Sequence, residues 1–473
     1  MKILIATDTY LPSVNGAAYF THRLAQLLAR RGHQVFVFAP STAMKYTVQK
    51  DEAGVIFHGI RSIRIPFFKN FWMSPPLIAR GLINNLVSEI APDVIHIQNH
   101  FMIGQAVQAI AQKQNIPIMG TNHFMPENLT YYLRLPSFLE KQLRRFSLYQ
   151  FRSIYRHLSA ITAPTVTAAN LTNHRELHKV IPISCGIDLD RFNPRNDGGY
   201  LRKRYGIPDK KVMLYVGRLD KEKRLDLVLR ALPEILRKTD THLVIAGLGN
   251  WEGNLKKIIK NLGIENNVTF TGFVPEEDLS SLYRVADIFI MAGIAELQSI
   301  VTMEAMASGL PVIAVNAVAL PELVHDGENG YLFEDGDITG FSDKVSMILN
   351  DDILRKNMSQ KSLEIIQKHD IESIIKRYES VYEGVRSGEM KPMADSHIPR
   401  KARMWISVAM AVLIFGISLA ILGIYGGSTS LAKEGPRQIV LGVYNKISQS
   451  DNFQDVRSAL SSLGSRLYKY HSK

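Results

Sequence analysis

Two glutamates separated by seven residues, Glu296 and Glu304, stand in AELQSIVTMEAMASGLPVIA, where a strand-like run gives way to a helix-like one. The run DIFIMAG ends just before Glu296, and Ile300 to Ser308 reads as a helix stopped by Gly309. A carboxylate at the carboxyl end of a parallel strand faces the crevice where open α/β sheets bind ligands. Glu304, about one turn into the helix, reaches the same crevice and can accept hydrogen bonds from vicinal hydroxyls. Free N–H groups at the start of that helix favour a phosphate. Upstream, Arg218 and Lys223 in GRLDKEK follow another strand-like run. Two cations there, taken alone, read as a surface pair after a strand. Gly16, in the first strand-to-helix loop, lets the backbone approach a phosphate or a sugar. His123 follows the strand PIMGT, with Asp8 and Asn122 on neighbouring strand ends. Taken singly, these residues also suit a solvated face, a pair of surface cations, a turn and a structural hydrogen bond.

The elements that must hold these side chains alternate regularly. KILIAT, QVFVFAP, DVIHIQ, PIMGTNH and AITAPT are strand-length apolar runs, with a helical stretch from Ala17 to Arg31 after the first. A second series begins near Arg204 with KVMLYVG, THLVIAG, NVTFTG, DIFIMAG, PVIAVN and GYLFE. Two such series predict two doubly wound α/β domains with a cleft between them. The boundary falls in VIPISCGIDLDRFNP, giving domains at 1–185 and 186–388, the last helix of the second packing back on the first. Helices over Asp352 to Lys368 and Ile371 to Val385 close this part.

The chain has 473 residues, 46% of them hydrophobic and 21% charged, which excludes disordered and collagen-like classes. A formal charge of +12 suits nucleic acid, an anionic membrane or phosphorylated ligands. Cys185 is the single cysteine, so neither an intrachain disulfide nor a Cys-based zinc cluster can form. MKILIATDTY has no long apolar core or small-residue cleavage site and reads as a strand rather than a signal peptide. No acidic DxD element stands at the expected strand ends, so no obligatory metal is expected.

Further motifs follow in order: TDTYLPSVNGA, YVGRLDKEKRLD, VIAGLGN, VTFTGFVPEEDL and LPELVHDGENGYLF. With the Glu-x7-Glu element, they make residues 1 to 385 resemble the family 4 retaining glycosyltransferases, closest in motif style to the branch that glycosylates diacylglycerol and related lipids. The resemblance implies a GT-B fold, two Rossmann-like domains facing across a cleft. It also implies a nucleotide-sugar donor, UDP-linked in expectation, and a front-face mechanism in which the donor phosphate helps to deprotonate the acceptor. Glu296 and His123 would lie by the donor sugar, and Glu304 would bind the ribose. Arg218 and Lys223 would lie against the diphosphate, with Gly16, Gln298, Ser299 and Ile300 completing the donor site. The family commonly has Gly-Phe-Gly between the glutamates, where this chain has Leu297, Gln298 and Ser299.

From Met404 to Tyr425 the chain has 22 residues without a charge, enough to cross a hydrocarbon core of about 30 Å as a helix. Residues 389–403 read as its linker and 426–473 as a C-terminal tail. Lys391, Arg400, Lys401 and Arg403 precede the segment and the next charge is Lys433, which predicts a single-pass cell-membrane protein with its large N-terminal part in the cytoplasm. Two basic, aromatic stretches, residues 61–73 and 138–158, suit the headgroup region of an anionic bilayer. No nucleic-acid motif is visible, and no nucleic-acid partner is expected. The expectation is therefore transfer of a sugar to a membrane lipid such as diacylglycerol. A glycan acceptor, or a catalytically inactive binding protein of the same fold, is the alternative.

Overall fold

The computed structural model describes residues 1–13, 15–64, 72–125, 137–173 and 177–392. The apolar segment 404–425, its linker beyond residue 392 and the C-terminal tail lie outside the described residues. Among the described residues, no helix is long and apolar enough to cross a membrane.

The described residues of 1–63 and 72–392 form one compact unit holding two sheets. The strands of the first are β1 (Lys2–Ala6), β2 (Gln34–Pro40), β3 (Thr47–Lys50), β4 (Ile56–Ile60), β5 (Val94–Ile97), β6 (Ile118–Thr121), β7 (Ala160–Ala163) and β8 (Ile181–Pro182). Their spatial order is β8-β7-β6-β5-β1-β2-β4-β3, parallel except for the edge strand β3. In the second sheet β9 (Lys211–Val216), β10 (Thr241–Ala246), β11 (Val268–Gly272), β12 (Ile288–Met291), β13 (Val312–Val315) and β14 (Gly330–Phe333) run in the order β11-β10-β9-β12-β13-β14. All pairs in it are parallel.

Helices cover both faces of the parallel strands, so VIHI, AITA, THLVIA, IFIM and VIAV are buried throughout, as continuous apolar runs require. The first helix, α1 (Gly16–Arg30), buries Ala18, Phe20, Thr21, Leu24, Ala25 and Leu28 along one stripe. Asn15 starts it by accepting from the Ala18 N–H at 2.9 Å. Strands β3 and β4 fall between the apolar runs read from sequence. β3 lies at the sheet edge, largely exposed, and so carries no apolar pattern.

Both sheets reverse strand order once, between β1 and β5 in the first and between β9 and β12 in the second. The crevice outside the carboxyl ends at such a reversal is where an open sheet holds a ligand. The loops after these four strands carry Asp8, Gln98, Arg218, Lys223 and Glu296.

Candidate active site

After β9 the chain turns through Gly217, Arg218 and Asp220 into a short helical turn at Lys221–Lys223. Tyr215, at the end of the strand, fixes the turn by donating its hydroxyl to the Arg218 carbonyl at 2.8 Å. Arg218 pairs with Asp220 at 2.6 Å and with Glu222 at 3.0 Å. Lys223 Nζ lies 2.5 Å from Glu296 Oε1 and 3.9 Å from Glu222. Two cations thus face three carboxylates. Asp220 and Glu222 are buried, whereas Arg218, Lys223 and Glu296 keep part of their surface open. Among the described residues, Glu222 Oε2 is buried without a hydrogen-bond partner. The acidic pair went unread in the sequence, although its alternation with the cations in RLDKEK was the available signal.

The loops after β9, β10 and β11 stack on one another by backbone hydrogen bonds. Gly217 N–H donates to Ala246, Leu219 to Leu248, and Gly247 to Gly272. The motif VIAGLGN owes its glycines to this stacking. Gly247 has φ +135°, and a Cβ there would lie 2.0 Å from the Gly217 carbonyl oxygen. A Cβ on Gly249 would lie 2.3 Å from the Leu219 carbonyl oxygen.

Glu304 lies on α2 (Ile300–Ala307), whose N-cap Ser299 makes no side-chain cap, so the first amides are free of one. Ser299 is buried, and its hydroxyl accepts from Thr302 at 2.8 Å. The Glu304 carboxylate accepts from the Tyr283 hydroxyl at 2.6 Å. Burial pushes it up to about 7, a rise moderated by the Tyr283 hydrogen bond and by the charges of Arg23 and Arg191. Arg23 belongs to α1 in the first domain and donates to the carbonyls of Cys185 at 2.9 Å and Gly186 at 2.6 Å. Burial pushes the Cys185 thiol up to about 12, which removes it as a nucleophile. Gly16 is the first residue of α1, not part of the loop before it, and a Cβ there would meet Ile300 Cδ1 at 3.8 Å, an ordinary contact.

Gln298 is held by the segment joining the two sheets. Its Oε1 accepts from Cys185 N–H at 2.6 Å, and its Nε2 donates to Ser184 Oγ at 3.0 Å. Leu297 is buried in the hydrophobic cluster of the first domain, and its carbonyl accepts from Thr165 Oγ1 at 2.9 Å. Nearby, Glu322 accepts the amides of Val166 at 3.1 Å and Thr167 at 2.6 Å. Leu297, Gln298 and Glu322 therefore tie the second domain to the first.

His123 is partly buried in the loop after β6. Its Nε2 lies 2.9 Å from Gln98 Oε1, and its ring packs at 5.1 Å from Phe20. Burial pushes it down to about 4, so the ring is neutral near pH 7. Among the described residues, no hydrogen bond joins His123 to the second domain. Asp8 accepts the Ile103 amide at 2.9 Å and the Gly104 amide at 3.5 Å, at the start of the helix Met102–Gln114. Burial raises its carboxyl to about 6 against those amides. Asn122 donates to Thr172 Oγ1 at 2.8 Å and accepts from Phe124 N–H at 2.9 Å. Both are loop-holding residues. In the helix Ser137–Tyr155, Phe151 and Tyr155 pack inward with ring centroids 4.0 Å apart, while Tyr149 is exposed. Among the described residues, no group of three or more His, Cys, Asp or Glu side chains is placed to hold a metal ion.

These features can be set beside known proteins. Residues 200–364 match the family described as glycosyl transferases group 1, and residues 14–191 match glycosyltransferase family 4. The alpha-monoglucosyldiacylglycerol synthase of Streptococcus pneumoniae is 30% identical over 379 residues, covering 77% of this chain and 82% of that protein. The N-acetyl-alpha-D-glucosaminyl L-malate synthase of Bacillus anthracis is 27% identical over 398 residues, covering 81% and 97%. Among solved structures, sucrose-phosphate synthase of Thermosynechococcus elongatus superposes with a TM-score of 0.70 at 19% identity, covering 82% of this chain and all of that one. A chain of two parallel sheets with a carboxylate–lysine pair at the switch point of the second, so matched, belongs to the family 4 glycosyltransferases of GT-B fold.

Proposed function

We propose that the protein transfers a sugar, with retention of configuration, from a nucleotide sugar to a membrane lipid of the diacylglycerol kind. The Lys223–Glu296 ion pair at the ends of β9 and β12 carries this reading. Lys223 pairs with Glu296 at 2.5 Å. A bound diphosphate competes for the ammonium, and Glu296 is then released toward the sugar hydroxyls. Arg218 meets the same diphosphate, and the capless start of α2 offers it amides. The bond from the anomeric carbon to the phosphate oxygen breaks, and the acceptor hydroxyl bonds to that carbon on the same face. The acceptor proton passes to the departing phosphate oxygen. Arg218 and Lys223 stabilise the charge that develops there, so the reaction needs no obligatory metal. A UDP-linked donor is the choice to test first.

Similarity to an alpha-monoglucosyldiacylglycerol synthase at 30% identity supports the lipid acceptor. The apolar residues 404–425, read as a membrane span with the catalytic domains in the cytoplasm, would keep the cleft beside the bilayer. The test incubates membranes containing the full chain with radiolabelled nucleotide sugars. Label is expected in the organic phase with the wild type and not with Glu296→Ala. Label found in a water-soluble glycan separated from the unreacted nucleotide sugar would instead select the glycan acceptor.

Glu304 is proposed to accept hydrogen bonds from the nucleotide ribose, which the ionised carboxylate does best. With its proton leaving near pH 7, the donor KM should fall about tenfold per unit as pH rises toward 7 and level off above it. Glu304→Gln should flatten that slope. The linkage to stability has the opposite sense. The folded state keeps a proton between the ordinary value of 4.5 and about 7 that the unfolded chain releases, so stability of the donor-free protein declines as pH rises through that window. Thermal melts from pH 5 to 8, wild type against Glu304→Gln, read this directly.

A further inference from the structure

His123 is linked to the far end of the described chain through three side chains. Tyr382, on the helix Ile371–Arg386, has its hydroxyl 2.8 Å from His96 Nδ1. His96 Nε2 lies 2.7 Å from Thr121 Oγ1, which lies 2.6 Å from Thr162 Oγ1. Both ring nitrogens of His96 therefore have hydroxyl partners. Gln98 Nε2 is 3.3 Å from His96 Nδ1 and 3.2 Å from its Nε2. An atom that far from both nitrogens cannot lie in the ring plane, because it would overlap Cε1; it lies over the ring face. The face of an aromatic ring is its electron-rich side, which attracts an N–H and repels a carbonyl oxygen. The amino end of the Gln98 amide is thus the end beside His96, and the oxygen end is the one 2.9 Å from His123 Nε2. An amide oxygen only accepts.

We infer that Gln98 is a positioning residue that fixes His123 as the Nε2–H tautomer, so that Nδ1 offers its lone pair to a hydroxyl of the donor sugar. The inference rests on the reading of His123 as a donor-sugar contact. The described residues give Nδ1 no hydrogen-bond partner, and the neutral ring, kept so by burial, has one donor and one acceptor. Without the Gln98 oxygen either nitrogen can carry the proton, and the tautomer with a protonated Nδ1 cannot accept from a hydroxyl. Tyr382 takes part at one remove. By holding the His96 ring, the helix Ile371–Arg386 sets the surface on which the Gln98 amide lies.

The test is nitrogen NMR of the full chain in detergent with ¹⁵N-histidine, the His123 signals assigned by their loss in His123→Asn. The wild type should show His123 protonated at Nε2 and bare at Nδ1. Gln98→Leu, which keeps the bulk and removes the acceptor, should show both tautomers and lower kcat/KM for the donor about tenfold, the worth of one hydrogen bond. Gln98→Glu, which restores an oxygen at the same reach, should keep Nε2 protonated and lose less activity than Gln98→Leu. A wild-type His123 protonated at Nδ1, or a His123 spectrum unchanged in Gln98→Leu, overturns the inference. Should neither Gln98 variant fold, the wild-type spectrum decides alone. Full activity in His123→Asn would overturn the donor contact itself, a separate failure from that of the tautomer.

Discussion

Lys223→Ala is expected to lower kcat/KM about 10²–10³-fold, the loss seen when one fixed donor to a developing negative charge is removed. The size follows from where the ammonium sits. Its side chain is 15% exposed and paired at 2.5 Å with a Glu296 that is 14% exposed, so little water stands ready to replace it. The loss should fall mainly on kcat, because the leaving phosphate gains charge only as the glycosidic bond breaks. Lys223→Arg should recover little, because a forked guanidinium does not reproduce a compact ammonium against Glu296. Glu296→Ala should lose a similar amount. The double variant should lose clearly less than the product of the two single losses, because the pair acts as a unit. Initial rates at varied donor concentration for the four proteins give the comparison, and strictly multiplicative losses would separate the pair.

Gly247→Ala should damage folding and activity together. Its Cβ would need to occupy a point 2.0 Å from the Gly217 carbonyl oxygen, on a backbone with φ +135° that only glycine adopts freely. Neither loop can retreat alone, since Gly217 N–H bonds the Ala246 carbonyl and Gly247 N–H bonds Gly272. A cost of about 3 kcal/mol is expected, from strain and lost loop contacts, which lowers Tm by about 6–12 °C. Any protein that still folds should bind the donor poorly, because relief of the clash moves the turn carrying Arg218. Gly253→Ala, whose Cβ meets nothing within 4 Å and which lies in the helix Glu252–Leu262, is the matched control and should lower neither property.

These two sites also mark how far the amino-acid sequence could be read. Strands such as IFIM and VIAV are apolar end to end because helices bury both their faces, and that local pattern is visible without a structure. Lys223 and Glu296 were legible for the same reason, each lying just past a visible strand. Arg23 was not: it reaches linker carbonyls 162 residues away in sequence, and nothing in HRLAQLL announces it. Tyr382 and His96 are 286 residues apart. Gln298 stands between the two glutamates, and the family resemblance gave it a donor role. The burial of Leu297 against the first domain and the hydrogen bonds of Gln298 to the linker are long-range facts that no local spacing encodes.

That interdomain tie bears on the reaction. Leu297 and Gln298 lie directly after Glu296, so movement of the linker at Ser184 and Cys185 moves the residue beside Lys223. The identity of the residues between the glutamates therefore affects how firmly the cleft is held as well as what it touches.

The most direct test of the account is the anomeric configuration of the lipid product. The purified 473-residue chain in diacylglycerol-containing vesicles, given an α-linked UDP-sugar, should yield a glycolipid whose proton NMR shows the α-anomer. A β-linked product, or sugar released only into water, would contradict it.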